Sequence, residues 1–178
     1  MELVAITGKR GHGKSTAAAR LEQAGYKHIN FADPLREIAR VAYGVTMEEM
    51  LDPILKEKVL DRYPFKSPRD ILQKIGTEMF RSYAEDTWIE AFKRSAGDYK
   101  LVVCSDCRFL NEADAVRALG GMIIRVDDPR KVSTDAASQH ASELEMEKIV
   151  PDWTIVNDRT IHDLHNAIGM IVLPEDQD

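Results

Sequence analysis

The tightest constraint on this chain lies near its start, where ELVAIT runs into GKRGHGKS and then into TAAARLEQ. The apolar run predicts a buried strand over residues 3–7. The alanine-rich run predicts a helix over residues 16–23, stopped by Gly25. Between them, residues 8–15 hold three glycines, two lysines, an arginine and a histidine. The stretch fits G-x-x-x-x-G-K-[ST] without a gap, with a strand before it and a helix after it. Glycine lets backbone N–H groups turn inward and approach phosphate oxygens closely. The start of the helix adds its positive end. Lys14 would reach the β- and γ-phosphates as a point charge, and Ser15 would offer its hydroxyl to Mg²⁺. The loop is therefore expected to hold ATP through Gly8, Arg10, Gly11, His12, Gly13, Lys14, Ser15 and Thr16. Lys9 and Arg10 add charge beside the phosphates, whether in contact or solvated.

Four more strands are expected, over residues 28–32, 101–105, 122–126 and 153–156. Helices are expected over residues 34–43, 111–119 and 160–171. Residues 47–95 show no strand: Ile71, Leu72, Ile75, Met79 and Phe80 recur at helical spacing, as do Trp88, Ile89 and Phe92. Residues 127–141 are polar, contain Pro129 and read as a mobile loop, and the tail over residues 174–178 reads as frayed. Strands alternating with helices imply an α/β fold, a five-stranded parallel sheet flanked by helices. The chain reads as one domain, residues 1–178, with a helical insertion over about 45–97 and a lid over about 127–142. Ligands of parallel sheets sit at the carboxyl ends of the strands. The loops that matter then begin at Gly8, Asp33, Ser105, Asp127 and Asn157.

Those loops carry chemistry. Asp106 follows the strand LVVCS, where an acid can hold the Mg²⁺ shell directly or through water; it could equally cap the next helix. Arg108 is placed to clamp a phosphate in transfer, or to pair with Glu112. Asp33 and Arg36 in FADPLRE would face the phosphate loop from the neighbouring strand. Asp33 could also serve as a cap with Pro34 in the first turn, and Arg36 is a candidate for the second substrate's phosphate. Asn157 is placed to contact the adenine edge, or is a plain turn residue.

The bulk numbers narrow the classes. A net charge of -6 argues against a nucleic-acid polymer as partner, though not against a local cationic pocket. No apolar run reaches the roughly 20 residues of a membrane span, and no signal peptide is visible, so a cytoplasmic protein is expected. Cys104 and Cys107 form a C-x-x-C pair, but zinc would need two further ligands, and His162 with His165 is the only other pair. A GTPase would need N-K-x-D to read guanine, and the sequence has none. A motor ATPase would usually need a larger domain and a basic surface.

GKRGHGKS, FADPLRE, SPRDILQKIGTE, VVCSDCRFLNEADAV, HASE and DWTIVND occur in this order across nearly the whole chain. The set resembles the deoxynucleoside monophosphate kinases of bacteriophages, P-loop kinases of the nucleoside monophosphate kinase type. The resemblance implies transfer of the γ-phosphoryl of ATP to a dNMP with Mg²⁺ as cofactor, supplying DNA precursors, in the host cytoplasm if the gene is a phage's. It implies that the segment with Arg69, Gln73 and Trp88 helps form the acceptor site, and that Arg130 and Lys131 lie in a closing lid. Arg69 and Gln73 are four residues apart and so share a helix face. Positioning and cationic clamps carry such chemistry, which puts the expected catalytic weight on Lys14, Arg108, Arg69 and Arg130, with Asp33 beside them. Ser15 departs from the pattern, since relatives commonly carry Asp after the Gly-Lys pair. Animal phosphomevalonate kinases look similar in outline, dephospho-CoA kinases less so. A non-catalytic nucleotide sensor fits the loop as well, and a homodimer is open to such a chain.

Overall fold

The computed structural model describes residues 1–131 and 141–173, residues 141–143 by backbone alone. Most of the expected lid (residues 132–140), the side chains of HASE and the tail 174–178 lie outside the described residues. The chain divides into two compact units, one made of residues 1–30 and 93–178, the other of residues 31–92.

The helices, in chain order, are α1 (Lys14–Gln23), α2 (Asp33–Tyr43), α3 (Met47–Leu51), α4 (Pro68–Gln73), α5 (Thr87–Ala96), α6 (Leu110–Ala118), α7 (Ala141–Lys148) and α8 (Ile161–Val172). The strands are β1 (Glu2–Thr7), β2 (Lys27–His28), β3 (Leu101–Cys104), β4 (Met122–Asp127) and β5 (Trp153–Val156).

In the first unit the five strands form one sheet in the order β2-β3-β1-β4-β5. Every pairing is parallel, with Val4 opposite both Val103 and Met122. Strand residues alternate between faces. Val4, Ile6, Val103, Ile124, Val126 and Ile155 share one buried cluster with Ala17, Ala18 and Leu21 of α1 and Leu164, Ile168 and Val172 of α8. Leu3 alternates to the other face and meets Val116 of α6 around Gly121. Small residues on α1 let that helix lie close to the sheet, which brings its first turn directly under the loop that leaves β1.

Two elements depart from the sequence reading. The second strand ends at His28 rather than running to residue 32. Ile29 N–H still donates to Val103 O at 2.9 Å. Then the Asn30 side chain replaces the ladder, its Oδ1 accepting Ser105 N–H at 2.9 Å; Asn competes for backbone groups in this way. Helix α7 was not expected, because ASELEMEK carries no apolar stripe. Among its described side chains, Met146 is the buried one.

The second unit is helical. Thr46 caps α3 by accepting Glu49 N–H at 3.1 Å, and Ser67 caps α4 by accepting Asp70 N–H at 3.2 Å. A 3₁₀ turn, Leu55–Glu57, lies between them, and α4 continues as a π-type segment, Lys74–Arg81. Phe31 stacks on Phe92 with ring centroids 4.3 Å apart. No helix among the described residues is long and apolar enough to cross a membrane.

At the edge of the sheet a side chain completes the β4–β5 ladder. Asp152 N–H donates to Ile123 O at 2.8 Å, and Ile123 N–H donates to Asp152 Oδ2 at 2.7 Å. Replacing Asp152 with Ala removes the acceptor and is expected to cost about 1–2 kcal/mol. That corresponds to a fall of roughly 2–6 °C in Tm. Asp152→Asn, which keeps an acceptor oxygen, should lose less. Thermal melts of the two variants check this; equal losses would show that charge rather than the acceptor matters.

Candidate active site

The phosphate loop leaves the centre of the sheet through a space too small for a side chain. Gly8 has φ +135°, and a Cβ there would stand 2.2 Å from Val126 O. Gly13 has φ +102°, and its Cβ would stand 2.6 Å from Asn157 Nδ2. Such dihedrals and approaches admit glycine alone. Gly13 is also the N-cap of α1, with no side-chain cap and no acid in the first turn. The helix therefore presents uncapped N–H groups and its positive end at the loop. Lys14 folds back over this loop, Nζ donating to Gly8 O at 2.6 Å and Lys9 O at 2.7 Å. Ser15 is exposed on the first turn.

Two other strand ends hold the loop. His12 Nδ1 accepts Asp128 N–H at 2.9 Å, and His12 O accepts the Asn157 side-chain Nδ2–H at 3.0 Å. Arg130 grips the Asp128 carboxylate with Nε at 2.8 Å and Nη2 at 3.0 Å, and the same Nη2 donates to Asn157 O at 2.9 Å. His12, Asn157, Arg130 and Asp128 thus close a ring of hydrogen bonds. Lys131 adds a further tie, Nζ donating to Gly11 O at 2.5 Å. The Asp128 carboxyl, on a residue only 2% exposed, is held down to about 2, chiefly by its hydrogen bonds to the Arg130 side chain. The same pairing pushes the Arg130 guanidinium up.

The end of β3 brings Ser105, Asp106 and Arg108 to the same edge of the sheet. Ser105 Oγ lies 2.8 Å from His28 Nε2, and His28 Nδ1 contacts the Glu22 carboxylate. Asp106 is partly exposed, and its Oδ1 accepts the Cys104 thiol at 3.3 Å. Glu112 is buried and its Oε2 accepts the N–H groups of Arg108 at 2.8 Å and Phe109 at 3.1 Å, capping α6. That cap fixes the backbone from which Arg108 projects. Cys104 and Cys107 are free and buried. Burial above all, then the Asp106 carboxylate at Cys104 and the Glu112 carboxylate at Cys107, pushes both thiols well up.

The remaining expected site residues belong to the helical unit. Asp33 is the first residue of α2 rather than its cap, and it accepts from Arg36 Nη1 at 2.5 Å. Arg69 and Gln73 both lie on α4, with Arg69 Nε donating to Glu57 Oε1 at 2.6 Å. Trp88 is buried, its indole N–H donating to Gly76 O at 3.0 Å and its ring 5.2 Å from that of Phe80. Asp128 and Glu112 are the two residues that the sequence reading left out of the site. The signal for Asp128 was the acid pair at the end of a strand, two residues before an arginine; for Glu112 it was an acid three residues into a helix.

The sequence profile of the family described as deoxynucleotide monophosphate kinase matches residues 55–168. A protein of Acanthamoeba polyphaga mimivirus, provisionally named a deoxynucleotide monophosphate kinase, is 32% identical over 185 residues, covering 94% of this chain and 94% of that one. Among solved structures, dephospho-CoA kinase from Campylobacter jejuni matches with a TM-score of 0.55 at 17% identity, covering 97% of this chain and 96% of its own. Shikimate kinase from Aquifex aeolicus matches with a TM-score of 0.54 at 13% identity, covering 95% and 94%. At these identities the two structures speak for the fold alone, a parallel sheet flanked by helices as in P-loop kinases.

The Asp128–Arg130 pair gives the ring an acid limit. A depressed carboxyl stabilises the folded state fully above the ordinary Asp value near 3.9, and loses that contribution as pH falls toward its folded value of about 2. The gap in Tm between the wild type and Asp128→Asn should therefore hold from neutral pH to about pH 5 and shrink by more than half by about pH 2.5. Melts across that range test it; a gap of constant size would show that Arg130 does not hold the carboxylate ionised.

Proposed function

Since this chain belongs to the deoxynucleotide monophosphate kinase family, we propose that it transfers the γ-phosphoryl group of ATP to a deoxynucleoside monophosphate. An oxygen of the acceptor's phosphate attacks the γ-phosphorus, the bond from that phosphorus to the β–γ bridging oxygen breaks, and ADP and a dNDP leave. The observation that carries the ATP half is the loop of residues 8–15, built around two glycine positions that exclude a Cβ and opening on an uncapped helix start. Such a loop offers backbone N–H donors to phosphate oxygens without a side chain in the way.

The transfer asks for positioning and charge rather than for a strong base, because the acceptor oxygen is already anionic. On this reading Lys14 exchanges the Gly8 and Lys9 carbonyls for the β- and γ-phosphates. Arg108 neutralises the group in flight from the capped start of α6. Arg130 reaches that group only by giving up the Asp128 carboxylate, so any direct contribution from it is offset by a lost ion pair. Arg36 and Arg69 are the cations offered to the acceptor's phosphate, with Asp33 orienting Arg36, and Gln73 reads a base edge. Trp88 supports the acceptor segment from within the helical unit, and Thr16 and Asn157 border the nucleotide.

Mg²⁺ fits these residues in a limited way. No group of three or more His, Cys, Asp or Glu side chains among the described residues could cage a metal. The exposed Ser15 hydroxyl and the partly exposed Asp106 carboxylate suit an ion held mainly by phosphates and water. When bound, the ion would supply charge neutralisation across the β- and γ-phosphates.

A coupled ADP-release screen over dNMPs, NMPs and phosphomevalonate tests the reading, with turnover expected on one or more dNMPs. Lys14→Ala should lower that turnover by on the order of 10²-fold or more while the far-UV spectrum and Tm stay close to wild type. A folded Lys14→Ala protein with near-normal turnover would remove the loop from the reaction.

A further inference from the structure

His12 makes two contacts through one nitrogen. Its Nδ1 lies 2.9 Å from Asp128 N and 3.0 Å from Asp127 Oδ1. A ring nitrogen either carries a proton and donates, or has a lone pair and accepts. Only one of the two contacts is a hydrogen bond at a time. The Asp127 side chain is 53% exposed, so water serves it. The Asp128 N–H has no such recourse, because its bond to His12 is buried and a buried amide left unpaired is strongly disfavoured. The amide therefore takes the lone pair of Nδ1, and the neutral ring carries its proton on Nε2.

That proton meets no acceptor among the described residues. The His12 side chain is 2% exposed, and its Nε2 is buried without a hydrogen-bond partner among the described residues. Buried donors of this kind call for a partner, and the described residues do not supply one. The ring cannot simply turn over to relieve it, since that would strand the Asp128 amide instead. The residue stands in the loop between Gly11 and the Gly13 cap of α1, beside the uncapped N–H groups of that helix's first turn.

We infer that His12 Nε2–H is a hydrogen-bond donor to a phosphate oxygen of the bound nucleotide, with its tautomer fixed by the Asp128 main chain. The inference rests on the reading that the loop binds a nucleoside triphosphate, and it adds a neutral side-chain donor to the loop's amides and Lys14. Asp128 then acts as a positioning residue, holding the ring through its amide while its carboxylate holds Arg130.

Two substitutions divide the ring's roles. His12→Asn keeps an oxygen near the place of Nδ1 and has nothing at Nε2. His12→Gln reaches the place of Nε2 with an amide donor and loses the acceptor for Asp128. His12→Asn should weaken binding of the Mg²⁺ complex of the β,γ-imido analogue of ATP by about tenfold or more, with a Tm nearer the wild type. His12→Gln should recover part of that affinity and show the lower Tm. In the wild-type chain labelled with ¹⁵N in its imidazoles, His12 should report the Nε2–H tautomer at neutral pH. Its Nε2 resonance should move when the analogue saturates the loop. An Nδ1–H tautomer, an unmoved Nε2 resonance, or a His12→Asn protein that binds as tightly as wild type each overturns the inference. If backbone amides of residues 8–15 shift with the analogue while Nε2 does not, the inference falls and the triphosphate reading stands. If neither responds, both fall. The spectra need only the wild-type chain, so the question stays decidable even if a variant fails to fold.

Discussion

Gly8 and the Val126 carbonyl lie so close that a single added carbon would sit 2.2 Å from the oxygen. Two central strands of a parallel sheet part at that point, and the chain leaves β1 without a side chain between them. The right-handed region of backbone space does not offer the turn required, so the position is closed to other residues. With the loop's origin fixed against β4, its far end is set by α1, whose alanines let it sit close to the sheet. A loop of a few residues between two such anchors has little freedom left.

The ring through His12, Asn157, Arg130 and Asp128 holds the loop from the outside, as the sheet holds it from beneath. Its bonds join the phosphate loop to the ends of β4 and β5, so three carboxyl ends of strands are tied together. Two acids stand at the end of β4: Asp127 is half exposed with Oδ1 3.0 Å from His12 Nδ1, whereas Asp128 is buried and matched by a bidentate arginine, the arrangement in which an ion pair holds its geometry best.

Much of this architecture was legible in the sequence, and the legible part was local. The strand–loop–helix at the start, the central strands and α8 all announce themselves within windows of a dozen residues, through periodicity and glycine spacing. β2 was over-read because apolar content says nothing about whether a neighbouring Asn will take the next backbone donor, as Asn30 does at Ser105. α7 was missed because a helix without an apolar stripe has no period to detect. The ring was out of reach for another reason. His12 and Asp128 are 116 residues apart, and nothing in a histidine's neighbours along the chain says which of its nitrogens will be used. Trp88 shows the ambiguity of aromatics: its resemblance-based place in the acceptor segment and its helical spacing with Ile89 and Phe92 leave open where the ring goes, and its indole lies inside the helical unit.

The two thiols at the end of β3 have a practical consequence. Cys104 and Cys107 are buried, and their surroundings disfavour the thiolate, the form that reacts with alkylating reagents. Both sit in the strand and turn that deliver Asp106 and Arg108, so they are shielded for as long as that segment stays closed. Their rate of alkylation in native buffer is therefore a clock for the opening of this one edge of the sheet. The chain carries that clock without an added dye or tag, in the strand end and turn from which Asp106 and Arg108 project.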